Sequence, residues 1–335
     1  NASKFGSVLA VLINSNCVMN IDSMYVANNS SLDNAIIAIQ SSLCEEINFK
    51  DVTFENNHGY ESAIYITDMP NDVNFDGMQF LTEERLSSNY APSIETEIEG
   101  GQGQLTIKNS TFYKVGGVDH DYSSIIIENS TFLETNSPVY FSLNDDQKAS
   151  VSFNTFVNNR SETSSAGVYA HHGELNLLAN VFVGNLSDGY ANNLQVNPEY
   201  VFNDLGYNFL SSYNASNAGF KDTLLSDWGD ILISGTSFSS ELKVENVIEV
   251  VLTENEESKK TLLPLLDSII LDVIPADSCD ELLEQNQLHL DQRGQLRGFN
   301  GLCDIGAVEL SALELLDTDN DRFSNDVDLD DDGDG

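Results

Sequence analysis

The chain has 335 residues and 41% hydrophobic content, enough for a folded core, and sets 54 acidic side chains against 14 basic ones for a formal charge of −40. Nucleic acid and anionic membranes need cationic residues to displace their counterions, so this balance argues against both as partners and against polyanionic polysaccharides as substrates. No apolar run approaches the roughly 20 residues of a membrane-spanning helix. The opening NASKFGSVLAVLINSN lacks the basic segment and cleavage site of a secretory leader, so a piece of a longer, already processed protein is expected.

Residues 1–212 read as stacked coils. LTIKNSTF at 105–112 returns at 125–132 as IIIENSTF, with an aliphatic residue (Ile107, Ile127) five positions before a phenylalanine (Phe112, Phe132). The same spacing recurs at Ile21/Val26, Phe49/Phe54, Phe75/Phe80, Val151/Phe156 and Leu177/Phe182, which makes seven copies 20 to 32 residues apart. Each copy alternates apolar and polar residues as a short strand does. One such strand cannot bury its apolar side alone, whereas parallel stacking turns the aliphatic and phenylalanine positions into continuous interior columns. The expected fold is all-β, a right-handed parallel β-helix. Asn29, Asn57, Asn159 and Asn185 each follow the phenylalanine column by three residues. Asparagine tolerates a left-handed turn and can hydrogen-bond up a stack, so these are expected to be structural. Asn-x-Ser/Thr triplets at Asn109, Asn129, Asn185 and Asn214 follow from the same turn chemistry and are weak glycosylation signals.

Cys17 precedes Val26 by nine residues and Cys44 precedes Phe54 by ten, nearly the same place on consecutive coils. Coils about 4.8 Å apart allow a disulfide there. Cys279 and Cys303 are close in sequence, and two bridges would place the chain outside the cytosol.

Six residues before the aliphatic column lie Asp121, Asp145 and His171, and five before it Tyr122, Asp146 and His172, with Asp119, His120 and Lys148 nearby. In register, these would form a strip of carboxylate, imidazole and phenol able to bind a metal or to serve acid–base chemistry on a sugar. Neither the spacing nor the residue set is diagnostic, and a solvated turn is the preferred account of them. Tyr60, Tyr65, Tyr90, Tyr122, Tyr140 and Tyr169 could supply an aromatic strip if they share a face.

Residues 213–310 are expected to hold closing coils and a C-terminal cap, since a bare last rung would expose strand edges. GYN at 206–208, LLPLLDSIILDVIPADSC at 262–279, DQRG at 291–294 and CDIGAVE at 303–309 resemble the carboxy-terminal signature of secreted bacterial right-handed β-helix proteins of the "choice-of-anchor" surface type. That family usually has SPAIDAG where this chain has SIILDVI. The resemblance implies the fold and a cell-surface setting, and no enzymatic activity is established for the family as such.

Residues 311–335 form an acidic tail. Asp317, Asp319, Asp321, Asn325 and Asp328 occupy positions 1, 3, 5, 9 and 12 of one loop, and Asp330, Asp332 and Asp334 begin a second. Calcium takes six to eight oxygens at about 2.3–2.6 Å, which alternating acids on a tight loop supply. The spacing resembles thrombospondin type 3 repeats, with Arg322 where a turn glycine is usual. Calcium is the expected ion.

The sequence thus favours a non-catalytic extracellular or outer-surface rod, an adhesin or fibre component with calcium-stiffened repeats. Surface glycans or other surface proteins are its expected partners, and end-to-end self-association is a further expectation. The alternative is a carbohydrate-active enzyme, a polysaccharide lyase or inverting hydrolase working along the coils. An exposed aromatic strip beside a close carboxylate pair would favour the second.

Overall fold

The computed structural model describes residues 9–13, 15–31, 35–41, 44–59, 62–68, 71–83, 92–97, 103–162, 165–187, 190–191, 193–196, 201–211, 224–226, 229–230, 238–240, 242–254, 259–311 and 314. The acidic tail lies outside them, so the metal-ligand expectation for Asp317, Asp319, Asp321, Asn325, Asp328, Asp330, Asp332 and Asp334 lies there too. Each coil contributes one strand to each of three parallel sheets, giving a parallel β-solenoid of about six turns. The repeat LTIKNSTF is the corner between two of them. Gln104–Lys108 belongs to the second sheet and Thr111–Tyr113 to the third, while strands such as Ile94–Glu97 and Gly116–Asp121 build the first.

Both expected columns form in register. Ile21, Phe49, Phe75, Ile107, Ile127, Val151 and Leu177 pair in sequence along the second sheet. Along the third sheet Phe54, Phe80, Phe112, Phe132, Phe156 and Phe182 stack with ring centroids 4.6–5.0 Å apart and planes within 17°. Such pairs contribute roughly 0.5–1.5 kcal/mol beyond the burial itself. On the next coil Leu210 continues the column, and the neighbouring Phe209 pairs with Val181 on the opposite side of the sheet. That side is covered by later residues, so a phenylalanine there is buried rather than exposed.

The corners use asparagine differently from the expectation. Among the described members, Asn29, Asn57, Asn159 and Asn185 do form ladders, as when the Asn159 amide N–H donates to Asn185 Oδ1 at 3.0 Å. The left-handed residue, however, is the one before, with φ of 57°, 50° and 52° at Asn28, Asn56 and Asn158. A second ladder hides in what looks like sequence drift after the aliphatic column. The amide of Ser110 donates to Ser130 Oγ, that of Ser130 to Asn154 Oδ1, that of Asn154 to Asn180 Oδ1 and that of Asn180 to Asn208 Oδ1, at 2.9–3.2 Å. All five residues are buried. The Asn-Ser-Thr triplets are therefore corner chemistry, and Asn185, 1% exposed with its amide donated to Phe156 and Asn193, is no glycan acceptor.

Both cysteine pairs are bridged, Cys17–Cys44 between coils and Cys279–Cys303 within the later segment. Closing loops of 27 and 24 residues contributes about 3.5 kcal/mol each in the chain-entropy account.

Of the expected closing region, Leu224–Ser226 and Phe238–Ser240 add further strands to the first and third sheets. Residues 242–254 and 259–311 do something else and lie along the flank of the coils. Val247, Ile248, Leu262, Ile274, Leu283 and Ile305 pack on Leu133, Phe153, Val157, Leu178, Val183 and Phe209, side chains that point out of the coils. The helix Ala276–Asn286 is pinned to this strap by Cys279–Cys303.

The DQRG and CDIGAVE motifs are what folds and docks the strap. Asp291 accepts the amides of Arg293, Gln295 and Glu309 at 2.8–3.0 Å. Gln292 Oε1 accepts from Thr131 Oγ1, and its amide donates to the Ser110 carbonyl and Thr111 Oγ1. Arg293 pairs with Asp291 and Glu314, and buried Arg297 lies over Phe153 and donates to Asn129. Gly306 has φ of +94°, and a Cβ there would sit 2.7 Å from Thr155 Oγ1. Only glycine lets the backbone come that close.

Candidate functional site on the first sheet

The strands of the first sheet present two outward columns. One runs Ala38, Tyr65, Glu95, Asp119, Tyr140, Tyr169 and Gln195, in register throughout. The other runs Gln40, Thr67, Glu97, Asp121 and Ser142, and His171 follows, its amide bonded to the Phe141 carbonyl. Glu95, Glu97, Asp119 and Asp121 thus form a grid of four carboxylates on two neighbouring strands, with tyrosines before and after it.

The second sheet arranges its charges in the opposite way. There Asp22, Lys50, Asp76, Lys108 and Glu128 alternate in sign from coil to coil, and Lys108 Nζ lies 2.8 Å from Glu128. Like charges on strands about 4.8 Å apart instead repel by roughly 1–3.5 kcal/mol across the dielectric range of a protein surface. The second sheet carries a like pair of its own at Glu46 and Asp72, but the first sheet sets two such pairs side by side, which makes this patch the candidate site.

The electrostatics of the grid separate its members. Burial raises Asp119 to about 7, and the charges of Asp121, Glu95 and Glu97 push the same way. Asp121 is raised by burial and by Glu97, but nearby His171 opposes the shift. Tyr140 is pushed up to about 12 by burial, with Asp121 and Asp119 adding to it. Glu97 accepts from the Tyr65 hydroxyl at 3.2 Å and from Thr67 Oγ1 at 3.4 Å. Tyr140 meets Tyr169 edge-on at 5.3 Å, Tyr169 meets His171 at 6.1 Å, and His171 meets His172 at 4.8 Å. Among the described residues, no three His, Cys, Asp or Glu side chains converge in a way that could hold a metal ion.

Asp121 and His171 share a column, with Ser142 between them. Asp145 and Asp146 stand exposed in a turn outside it. That turn, closed by reciprocal hydrogen bonds between Asn144 and Gln147, adds residues between the sheets, so counting six back from Val151 stops short of the strand, which ends at Ser142. Tyr122 follows Asp121 in a left-handed turn with φ of 74° and is exposed. Of the six tyrosines singled out from sequence, Tyr65, Tyr140 and Tyr169 share the column with the carboxylates; Tyr60 and Tyr90 lie outside the described residues. Glu95 and Glu97 were not anticipated. Their signal is IETE at 94–97, the counterpart of VDHD at 118–121, each with acids outward at strand spacing.

No family model matches the chain, and neither a curated protein nor a solved structure matches it. The resemblance at 291–294 and 303–309 rests on those motifs alone, and the contacts they make are those of a docked strap.

Proposed function

We propose that this chain is an extracellular β-helix protein that holds an uncharged or cationic glycan along the outer face of its first sheet. The observation that carries this reading is the tyrosine–carboxylate column, Tyr65, Glu95, Asp119, Tyr140 and Tyr169. The rings of Tyr140 and Tyr169 offer flat apolar surface to a sugar ring, while Tyr65, 4% exposed, is packed away and holds Glu97 through its hydroxyl; carboxylates accept from sugar hydroxyls or amines. The formal charge of −40 disfavours an anionic glycan. Two disulfides support an oxidising compartment, and the carboxy-terminal motifs support placement at an outer cell surface. The alternating aspartates of 317–334 support calcium as the ion of the tail.

Asp119 and Asp121 favour a second, stronger reading, hydrolysis of the bound glycan. A carboxyl with a midpoint near 7 is about half protonated at neutral pH, and that fraction can act as general acid. Asp121, drawn back toward its ionised form by His171, can act as base. Two residues apart on one strand, their backbones are separated by roughly 6.6 Å and both side chains stand on the same face, within reach of one bound sugar.

The deciding experiment incubates the chain with a panel of neutral and amino-sugar polysaccharides, measuring retention and new reducing ends together. Retention that is lost in Tyr140→Ala and Tyr169→Ala supports the binding face. Reducing ends that disappear in Asp119→Asn add hydrolysis; retention without them leaves a non-catalytic binding rod. If no member of the panel is retained, or if the tyrosine variants retain it equally, the proposal fails.

A further inference from the structure

The interior column behind the carboxylate grid reads Ile39, Ile66, Thr96, His120, Phe141, Ala170 and Val196. It is apolar except at Thr96 and His120, which lie on the two strands that carry Glu95, Glu97, Asp119 and Asp121. Each of those strands therefore reads acid–polar–acid, E-T-E at 95–97 and D-H-D at 119–121, with the middle side chain turned inward. A buried polar group costs stability that an apolar one at the same place would not, and the neighbouring coils have Ile66 and Phe141 in this position.

The imidazole is fully buried and bonded on both nitrogens. Nδ1 lies 2.6 Å from Thr96 Oγ1, and Nε2 lies 2.9 Å from the Ser123 carbonyl and 3.1 Å from Ser123 Oγ. A carbonyl oxygen can only accept, so Nε2 carries the proton and Nδ1 accepts from the threonine hydroxyl. The ring is thus a neutral strut joining one strand of the grid, through the other, to the turn that follows Asp121. The same turn holds Tyr122 in the left-handed region, with its amide donated to the Ser142 carbonyl.

We infer that His120 is a positioning residue for the sheet-face site, fixing Asp119, Asp121 and Tyr122 against the neighbouring strand through Thr96 and Ser123. The inference deepens the glycan-site reading and rests on it for its biological meaning, but its test needs no glycan. Beside His120 itself, the described titratable groups around the grid are Tyr65, Glu95, Glu97, Asp119, Asp121, Tyr122, Tyr140, Tyr169 and His171. If the strut holds the two strands, Asp119 stays crowded among them; without it the strands relax and water reaches the carboxyl.

The test is a carboxyl-carbon and imidazole-nitrogen NMR titration of the full chain. In the wild type, the His120 nitrogens report the Nε2–H form without protonation down to about pH 5, and Asp119 titrates near 7. His120→Phe suits an apolar column and removes both hydrogen bonds; its Asp119 is expected to lose at least tenfold in proton affinity. His120→Gln offers an oxygen to Thr96 and an N–H to Ser123, and it should keep the wild-type Asp119 midpoint within half a pH unit. A merely structural histidine would change the melting temperature without this split between variants. Should His120→Phe fail to fold, Thr96→Val removes a single donor and is expected to lower the Asp119 midpoint in the same direction. An Asp119 midpoint unchanged in the folded apolar variant, or in Thr96→Val, overturns the inference. A glycan panel with no ligand would overturn the proposed function and leave this titration to decide the strut.

Discussion

Asp119 and His120 are adjacent on one strand and face opposite ways, and their ionisations pull stability in opposite directions. Asp119 is raised from an ordinary 3.8 to about 7 by burial first and then by its acidic neighbours. Because the folded value lies above the unfolded one, the fold binds the extra proton, and its contribution is complete below about pH 4 and lost as pH rises through 7. Once Asp119 is fully ionised the loss is about 4 kcal/mol. His120 is lowered from 6.5 to about 4 by burial. Its contribution is present above 6.5 and is lost as pH falls through 4, about 3 kcal/mol in all. Between pH 4 and 8 the two nearly cancel in the wild type. Asp119→Asn removes one of them, so the variant should be more stable than wild type by about 4 kcal/mol at pH 7.5 and by under about 1 kcal/mol at pH 4. For a chain of this length that is a melting-temperature difference of about 6 °C at pH 7.5, collapsing toward zero in acid. Paired thermal melts at half-unit pH steps measure it, and only the difference between the proteins is read, so the other carboxylates drop out. A melting difference that does not change with pH would refute the claim that Asp119 is held protonated by its surroundings.

Phe132→Ala, in the middle of the ring stack, is expected to cost about 3–5 kcal/mol and to lower the urea midpoint more than Phe209→Ala, whose ring stands outside the stack. Asn180→Ala strips acceptors from the Asn154 amide and side chain and a donor from the Val151 carbonyl, for a loss of about 3 kcal/mol; Asn176→Ala, in the outward Asn203–Asn176 pair, should stay under about 1 kcal/mol. Equal losses at the two asparagines would remove the distinction between the corner and face ladders. Adding calcium should protect 311–335 from limited proteolysis and chelation should undo it while the coils stay resistant, and a cleavage rate indifferent to EDTA would count against calcium binding there.

The coils were legible because the period that specifies them is local. An aliphatic residue and a phenylalanine five apart sit on either side of a two-residue corner, and nothing between them can vary in length. The first sheet was not legible in the same way. Its strands are joined to the others by turns of changing length, so counting along the chain placed Asp145 in line with Asp121 although Ser142 stands there. The inner ladder was missed because Ser110, Ser130, Asn154, Asn180 and Asn208 share a hydrogen-bonding role rather than a residue type. The strap was missed because its partners lie far away in sequence. Gln292 finds Thr111 and Thr131 more than 160 residues earlier, and no local pattern announces such a contact.

What the three faces of the coil do with their outward positions argues for where function lies. On the third sheet Leu133, Val157 and Val183 are apolar because the strap covers them. The second sheet closes on itself, through charges of alternating sign and the Asn20–Asn48–Asn74 and Asn176–Asn203 pairs. Both faces satisfy their own side chains. The second sheet has one in-register like-charge pair, Glu46 and Asp72, whereas the first sheet sets two side by side, Glu95–Asp119 and Glu97–Asp121, and there the acidic neighbours raise the proton affinity of Asp119 and Asp121. On the second sheet Lys108 stands between Asp76 and Glu128. On the first, tyrosines flank the grid and the interior behind it gives up apolar packing for Thr96 and His120, so an outward and an inward departure from the other coils meet at one patch. A ligand that donates hydrogen bonds or positive charge to those carboxylates while lying on Tyr140 and Tyr169 would offset the repulsion within the grid.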